Sequence, residues 1–213
     1  QICDMNSGEV LAVSGMMNPQ IRFGEDLMSR VSYGFMNEGG AEELTKAVQN
    51  GLQELIEKAS KQEGLNVQDI FEIVLVGNPV MHHLVLGIDP VELGGAPFAL
   101  TLDTAVNCLA QEVGLRFNSA TRVYLLPCIA GHVGADAAGA VLAEAPQDSE
   151  EITLLIDIGT NAEIILGNCH HLMAASSPTG PAFEGAQISS GQRAAVGAIE
   201  RVRINPNNYE PIY

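Results

Sequence analysis

The sequence predicts an α/β fold in two lobes, and three observations carry that prediction. First, a β-branched run, Ile73-Val74-Leu75-Val76, stops at Gly77 and runs into Asn78-Pro79, an N-cap and a first-turn proline. Strand, glycine turn and capped helix make half of an α/β unit. Second, a polar stretch from Pro146 to Glu151 interrupts the apolar pattern. Third, Thr153 to Gly167 holds two apolar strands flanking Gly159-Thr160-Asn161 and reads as a hairpin. The first lobe is placed at 1–145, with a connecting helix at 131–144, and the second at 152–213.

The elements follow in order. Ile2 to Val13 reads as two short strands around the turn Asn6-Ser7-Gly8. So abrupt an opening leads us to expect sequence upstream of Gln1. Asn18 to Arg30 is a loop entering a short helix. Ala41 to Gln62 is the clearest helix, because Leu44, Ala47, Val48, Leu52, Leu55, Ile56 and Ala59 recur at helical spacing. Gly64 and Asn66 end it. Ile73 to Val76 suits a buried strand, and a helix continues through Leu86. Val91 to Leu102 is a connection, Thr104 to Val113 a short helix, and Val123 to Leu126 a second buried strand. Gly131 to Glu144 is a small-residue helix in which Gly134, Ala135 and Ala138 admit a close neighbour. After the hairpin, Leu172 to Ala175 is a third strand. Ser176 to Gly180 is a loop, Pro181 to Ile188 starts a helix, and Ala195 to Ile204 is a strand or strand pair. The tail, Asn205 to Tyr213, forms no evident core element.

Composition narrows the function. With 46% hydrophobic and only 17% charged residues, the chain can bury a core. A net charge of −16 repels a bare polyanion, which excludes nucleic acid as a partner. A small phosphate remains acceptable where N–H groups and a metal ion neutralise it. The acidic surface serves solubility or a basic protein partner. Cys3, Cys108, Cys128 and Cys169 form no CxxC pair, so no zinc or iron–sulfur site is expected within this chain. No leader pattern and no apolar run of spanning length is present, which gives a cytoplasmic expectation and no membrane partner.

The strongest local pattern is Asp157-Ile158-Gly159-Thr160-Asn161. A strand delivers a carboxylate to a tight turn, Gly159 lets the backbone approach a ligand, and Thr160 and Asn161 add donors. Such a turn can wrap phosphate oxygens while Asp157 holds magnesium. The same residues also suit an ordinary hairpin whose Asp caps its own turn. Glu163 points to the same side of its strand as Asn161, where it either orients an attacking water or flanks the hairpin. Gly180 and Pro181 launch a helix whose N-terminus can face an anion, with Glu184 one turn in. That Glu equally serves as a dipole-compensating residue. His82-His83 and His170-His171 are adjacent pairs that diverge on any regular element, so neither is a metal clamp. His132 precedes the small-residue helix without a visible partner.

Five phrases, NPQIRFGEDLMSR (18–30), GNPVMHH (77–83), LLPCIAGHVGADAAGAVLA (125–143), LLIDIGTNAEIILGN (154–168) and SSPTGPAFEGAQISSGQRAAVGAIE (176–200), span nearly the whole chain in order. Together they resemble the large C-terminal domain of the ATP-dependent reductive activators of corrinoid (B12-type) proteins. The resemblance implies two ribonuclease-H-like lobes of the actin and acetate kinase superfamily, here incomplete at both ends, with Mg²⁺ and ATP between them. It implies that Asp157 to Asn161 is the second phosphate loop, with Asp157 at the metal and Glu163 beside it. Gly180, Pro181 and Glu184 line the same cleft, and Asn18, Gln20, Asp26 and Arg30 form a first-lobe cleft segment. Gly131 to Gly139 becomes the helix joining the lobes. The implied partner is a corrinoid protein or corrinoid-dependent methyltransferase, which an iron–sulfur domain outside this chain reduces, and the implied assembly is a homodimer.

Three departures stand out. Ala162 replaces a usual glycine, and Ser177-Pro178-Thr179-Gly180 replaces a Thr-Ala-Ala-Gly run. The first phosphate loop is expected before Gln1, and the adenosine loop after Tyr213. Two other functions share these features: a corrinoid-protein binding module with a vestigial nucleotide site, and a small-molecule kinase of the same superfamily.

Overall fold

The computed structural model describes residues 1–24, 26–159, 161–179, 199 and 201–212. The chain opens with an antiparallel pair, β1 (Ile2–Cys3) and β2 (Val10–Ala12). Its turn is closed by the Asp4 carboxylate, which accepts the N–H groups of Asn6 at 2.9 Å and Ser7 at 2.8 Å. Asn18 caps a 3-10 turn at Pro19–Arg22. Asp26 then caps α1 (Leu27–Met36), accepting the Ser29 N–H at 2.7 Å. This helix runs six residues past the expected end at Arg30, because Val31 enters the core and holds it.

α2 (Gly40–Gln62) lies within a residue of its predicted start and buries Leu44, Ala47, Val48, Gly51 and Ala59. A Cβ on Gly51 would stand 2.8 Å from Pro19, so only glycine lets the 3-10 turn pack there. β3 (Glu72–Leu75) leads into α3 (Pro79–Val85), whose N-cap Asn78 accepts the Met81 N–H at 2.9 Å. Two further strands, β4 (Val106–Leu109) and β5 (Arg122–Leu125), complete a sheet of order β3-β5-β4. β3 pairs with β5 in parallel, and β4 pairs with it antiparallel. The core of this lobe gathers Leu44, Val80, Leu84, Leu93, Leu115, Val123 and Leu125 between helices and sheet.

Two sequence expectations fail in this lobe. Thr104 to Val113 is not a helix: Val106–Leu109 is strand β4, and Ala110–Val113 is a 3-10 turn. The free edge of β5 takes Val106 opposite Leu125 and Leu109 opposite Arg122, and that non-local pairing outweighs local helix preference. Nor is β3 buried on both faces, since Ile73 faces the core while Val74 is 57% exposed. β3 lies at the sheet's edge, and only one of its faces is covered by described residues.

α4 (Ala135–Glu144) starts four residues later than expected, because Ala130 and Val133 close a bridged turn ahead of it. A Cβ on Gly134 would fall 2.7 Å from both Asn78 Cα and the Gly77 carbonyl oxygen. The start of α4 is thereby pinned to the start of α3, and the Gly77 carbonyl accepts the Ala135 N–H at 3.0 Å. α4 serves both halves of the molecule. Ala135 and Ala138 pack with Leu126 and Cys128, while Ala137 and Val141 pack with Leu155, Ile165 and Leu172.

The second sheet is an antiparallel meander of β6 (Thr153–Ile158), β7 (Asn161–Gly167) and β8 (Leu172–Pro178). Ser176, Ser177 and Pro178, expected in a loop, extend β8. As an edge strand it tolerates a proline that donates no ladder hydrogen bond. The expected helix from Pro181 to Ile188 lies outside the described residues. Of the strand or strand pair expected at 195–204, residues 195–198 and 200 lie outside the described residues; its end is β9 (Arg203–Ile204), which pairs with β10 (Pro211–Ile212) of the tail in an exposed hairpin.

His82 and His83, set aside as metal ligands, are core residues of α3 at 3% and 0% exposure. His83 Nδ1 lies 2.8 Å from the Pro79 carbonyl, and its Nε2 accepts the Thr101 N–H at 3.2 Å, which fixes a neutral ring protonated at Nδ1. His82 lies beside the Leu126 backbone, but among the described residues neither of its ring nitrogens makes a well-formed hydrogen bond. Burial pushes both histidines below their ordinary value, and the neighbouring ring adds to the effect at His82. The unfolded chain therefore binds protons that the folded chain refuses. Stability contributed above about pH 6.5 is lost as the pH falls toward the lower folded values. Asp136 and Glu163 are shifted upward and act in the opposite sense. The expected result is a thermal midpoint that drops between pH 7.5 and 5, with a shallower drop in His82→Leu. Identical slopes in the two proteins would remove His82 as a cause.

Candidate functional site

The polar end of the hairpin is built by strand alternation. Leu155, Asp157, Asn161, Glu163 and Ile165 share one face, because Asp157 pairs with Glu163 and Leu155 with Ile165 across the ladder. At the base of that face Leu155 and Ile165 pack on α4. Beyond the edge of the helix the same face turns polar, with Asp157, Asn161 and Glu163, and Ser176 and Pro178 supplied by β8. The turn is closed by the Gly159 N–H donating to the Asn161 carbonyl at 2.8 Å, and the Thr179 hydroxyl donates to the Gly159 carbonyl.

This corner faces neither core nor open water. It forms one wall of a cleft of about 640 Å³. The opposite wall brings Asp26 from the cap of α1, Met28 and Arg30 from α1 itself, Asn78 from the cap of α3, His132 from the turn before α4 and Asp136 from its first turn. Of the residues predicted from sequence, Asp157, Gly159, Asn161 and Glu163 converge on the cleft. Thr160, Gly180, Pro181 and Glu184 lie outside the described residues. The first-lobe segment divides: Asp26 and Arg30 reach the cleft, while Asn18 caps a turn and Gln20 is buried, its Nε2 donating to the Leu44 carbonyl at 2.8 Å. His132 has a ring neighbour after all, Phe98, with centroids 4.4 Å apart. Sequence reasoning passed over Asp136, gave Asn78 only a capping role and placed Ser176 in a loop. An Asp in the first turn of a helix reads as an ordinary partner of the helix dipole, and nothing local marks it as a cleft residue.

The cleft is electrostatically lopsided. Asp26, Asp136, Asp157 and Glu163 face it, with Arg30 as a cation. Burial raises the Glu163 carboxyl above its ordinary value, Asp136 and Asp157 raise it further, and the Ser176 hydroxyl, donating at 3.2 Å, opposes them. Burial likewise raises Asp136, with Asp157 adding to it and the Ala137 N–H opposing. Asp26 moves down, held by the Ser29 N–H. A polyphosphate would enter so acidic a cleft only together with a cation.

The residues present fit magnesium. Among the described residues no three His, Cys, Asp or Glu side chains form a metal cage. Magnesium needs only one or two carboxylates and keeps most of its water. The Asp157 carboxylate accepts no hydrogen bond among the described residues and lines the cleft, so it is free to serve.

A two-lobed α/β chain with a glycine-cornered acidic cleft is an ASKHA-type frame, the class to which actin-like ATPases belong. The chain belongs to the RACo family: residues 1–148 match the RACo middle region, and residues 151–213 match the C-terminal domain of RACo, the ASKHA domain. It is 38% identical over 199 residues to the corrinoid activation enzyme RamQ of Eubacterium limosum, covering 93% of this chain and 33% of that protein. It is 36% identical over 97 residues to a [Co(II) methylated amine-specific corrinoid protein] reductase of Methanosarcina barkeri, covering 46% of this chain and 18% of that protein. A solved structure, a reductive activator for corrinoid, iron–sulfur protein, superposes with a TM-score of 0.89 at 40% identity, covering 99% of this chain and 34% of that one. The chain thus spans about a third of the length of RamQ.

Proposed function

We propose that this chain is the nucleotide-binding and partner-binding part of a protein that reductively reactivates a corrinoid protein with the help of ATP. The observation that carries the reading is the Asp157–Asn161 corner opening on a cleft walled from both lobes. Asp157 would hold magnesium directly or through water, and the Gly159–Asn161 turn and the Asn161 side chain would meet phosphate oxygens. Glu163 would orient a water. The family resemblance assigns nucleotide contacts to Thr160, Gly180, Pro181 and Glu184 as well, which lie outside the described residues.

The lobes meet at the polar linker 146–151, and α4 packs against both. Nucleotide can drive a rearrangement only if it binds one lobe arrangement better than the other. A cleft lined from both sides meets that condition, because closure adds contacts that an open cleft lacks. The rearrangement then alters the surface offered to the corrinoid protein or corrinoid-dependent methyltransferase, and an electron arrives from an iron–sulfur domain outside these residues. A homodimer and a cytoplasmic setting complete the proposal. Among the described residues, no helix is long and apolar enough to cross a membrane.

The test is cob(I) formation by the full-length protein from its cob(II) partner, followed by absorbance, with and without Mg-ATP. ATP is expected to accelerate the reaction. A rate indifferent to ATP, in a protein that also binds none, defeats the reading and favours a plain binding module.

A further inference from the structure

Among the described residues, Arg30 is the one Lys or Arg that lines the cleft. Its position is costly. Arg30 is 7% exposed, and burial works against its charge while Asp26 favours it. The chain has 26 acids and only 10 Lys and Arg, so a buried cation in this wall is not a by-product of composition.

The backbone is shaped to hold the guanidinium. A Cβ on Gly24 would fall 2.7 Å from Ser29 Cβ and 2.8 Å from the Arg30 nitrogen, so only glycine passes that close to α1. The close approach lets the Gly24 carbonyl accept the Arg30 Nε–H at 3.1 Å. From α3, Met81 Sδ lies 3.6 Å from Arg30 Nη1. Asp26 Oδ1 is engaged at the helix cap, where it accepts the Ser29 N–H and hydroxyl at 2.7 Å each. The guanidinium is thus anchored by two elements of the first lobe.

Its charge also stands apart from the hairpin acids. Arg30 helps to hold the Asp26 carboxyl down. Burial and neighbouring acids raise Glu163 and Asp136, and among the described residues no cation offsets either shift. The cleft therefore carries its guanidinium on the first-lobe wall and its uncompensated carboxylates near the hairpin. A hydrated metal ion suits the second place. A phosphate group suits the first, because the planar fork of Arg matches phosphate oxygens.

Resting on the nucleotide reading above, we propose that Arg30 is a specificity-determining residue that meets the terminal phosphate of ATP from the first-lobe wall and so distinguishes ATP from ADP. A diphosphate held at the Asp157–Asn161 corner lacks the group that reaches the opposite wall. ADP then leaves Arg30 without a phosphate contact, and the two walls are not tied together. The difference between the two nucleotides becomes a difference in affinity for one lobe arrangement, which is what a nucleotide-driven change requires.

The experiment uses the full-length protein as wild type, Arg30→Gln and Arg30→Lys. Calorimetry measures the affinities of Mg-ADP and of the magnesium complex of the β,γ-imido analogue of ATP, which is not hydrolysed. Hydrogen exchange follows 27–36 with each nucleotide. The wild type is expected to bind the triphosphate more tightly and to gain protection of 27–36 with the triphosphate alone. In Arg30→Gln the triphosphate affinity falls roughly tenfold, the scale of a lost charge-assisted hydrogen bond, while ADP affinity stays within about twofold. The added protection of 27–36 disappears. Arg30→Lys keeps the charge without the fork and retains part of the preference. Equal losses for both nucleotides assign Arg30 to the build of the wall and overturn the proposal. So does an unchanged triphosphate affinity in Arg30→Gln. A wild type that binds both nucleotides equally overturns the proposal and leaves the nucleotide reading standing, whereas a wild type that binds neither overturns both. Should Arg30→Gln misfold, Arg30→Lys decides by the same ratio of affinities.

Discussion

Asp157→Asn in the full-length protein is expected to slow ATP-dependent cob(I) formation by roughly a hundredfold or more, the scale of losing several kcal/mol of charge stabilisation at a metal-held phosphate. Folding is not expected to suffer. Asp157 is exposed at the polar end of β6, its carboxylate accepts no hydrogen bond among the described residues, and it stands opposite Glu163 on the ladder. Like charges directly across a ladder are destabilising, so the amide leaves stability unchanged or slightly raised. Loss of function with an unchanged thermal midpoint therefore separates a role in the cleft from a role in the fold. A raised magnesium requirement in the variant ties that role to the ion. Wild-type rates at every magnesium concentration remove Asp157 from the mechanism.

The ease of reading Asp157 in the sequence has a physical reason. Asp157, Gly159, Asn161 and Glu163 are near neighbours in the chain, and apolar alternation on either side of a glycine corner fixes which way each side chain points. One wall of the cleft was therefore legible residue by residue. The other was legible only at Asp26 and Arg30, and there only through the family resemblance, because Asp26, Asn78 and Asp136 come from the starts of three different helices. Each reads locally as a cap or a first-turn acid. They meet only because Gly134 lets α4 close on α3, a contact between positions some 56 residues apart in the numbering. The error at Thr104 to Val113 has the same origin: β4 is strand because β5 has a free edge to pair, not because of its own residues. Where sequence reasoning did place elements well, as for α2 and the hairpin, the apolar period was long enough to decide alone.

Leu84→Ala is expected to be the most damaging change to the first lobe, costing about 2–5 kcal/mol. α3 has only seven residues, too few to be stable as an isolated helix, so its persistence rests on burial. Leu84 is 0% exposed and packs in the cluster that joins α2, α3 and the sheet. Removing its three outer carbons leaves a cavity whose lining belongs to rigid elements that collapse only in part. At roughly 2–4 °C per kcal/mol for a chain of this size, the thermal midpoint should fall by about 5–15 °C. Val74→Ala, in the same lobe but on an exposed face, provides the comparison and should stay within about 0.5 kcal/mol. The damage should also reach the cleft. Asn78 caps α3 and the Gly77 carbonyl holds the start of α4, so a loosened α3 releases Asp136 from its fixed position. Hydrogen exchange in 135–144 should therefore quicken in Leu84→Ala at temperatures well below its midpoint. If Leu84→Ala costs no more than Val74→Ala, α3 is not held by its buried face, and the route from the first-lobe core to the cleft is lost.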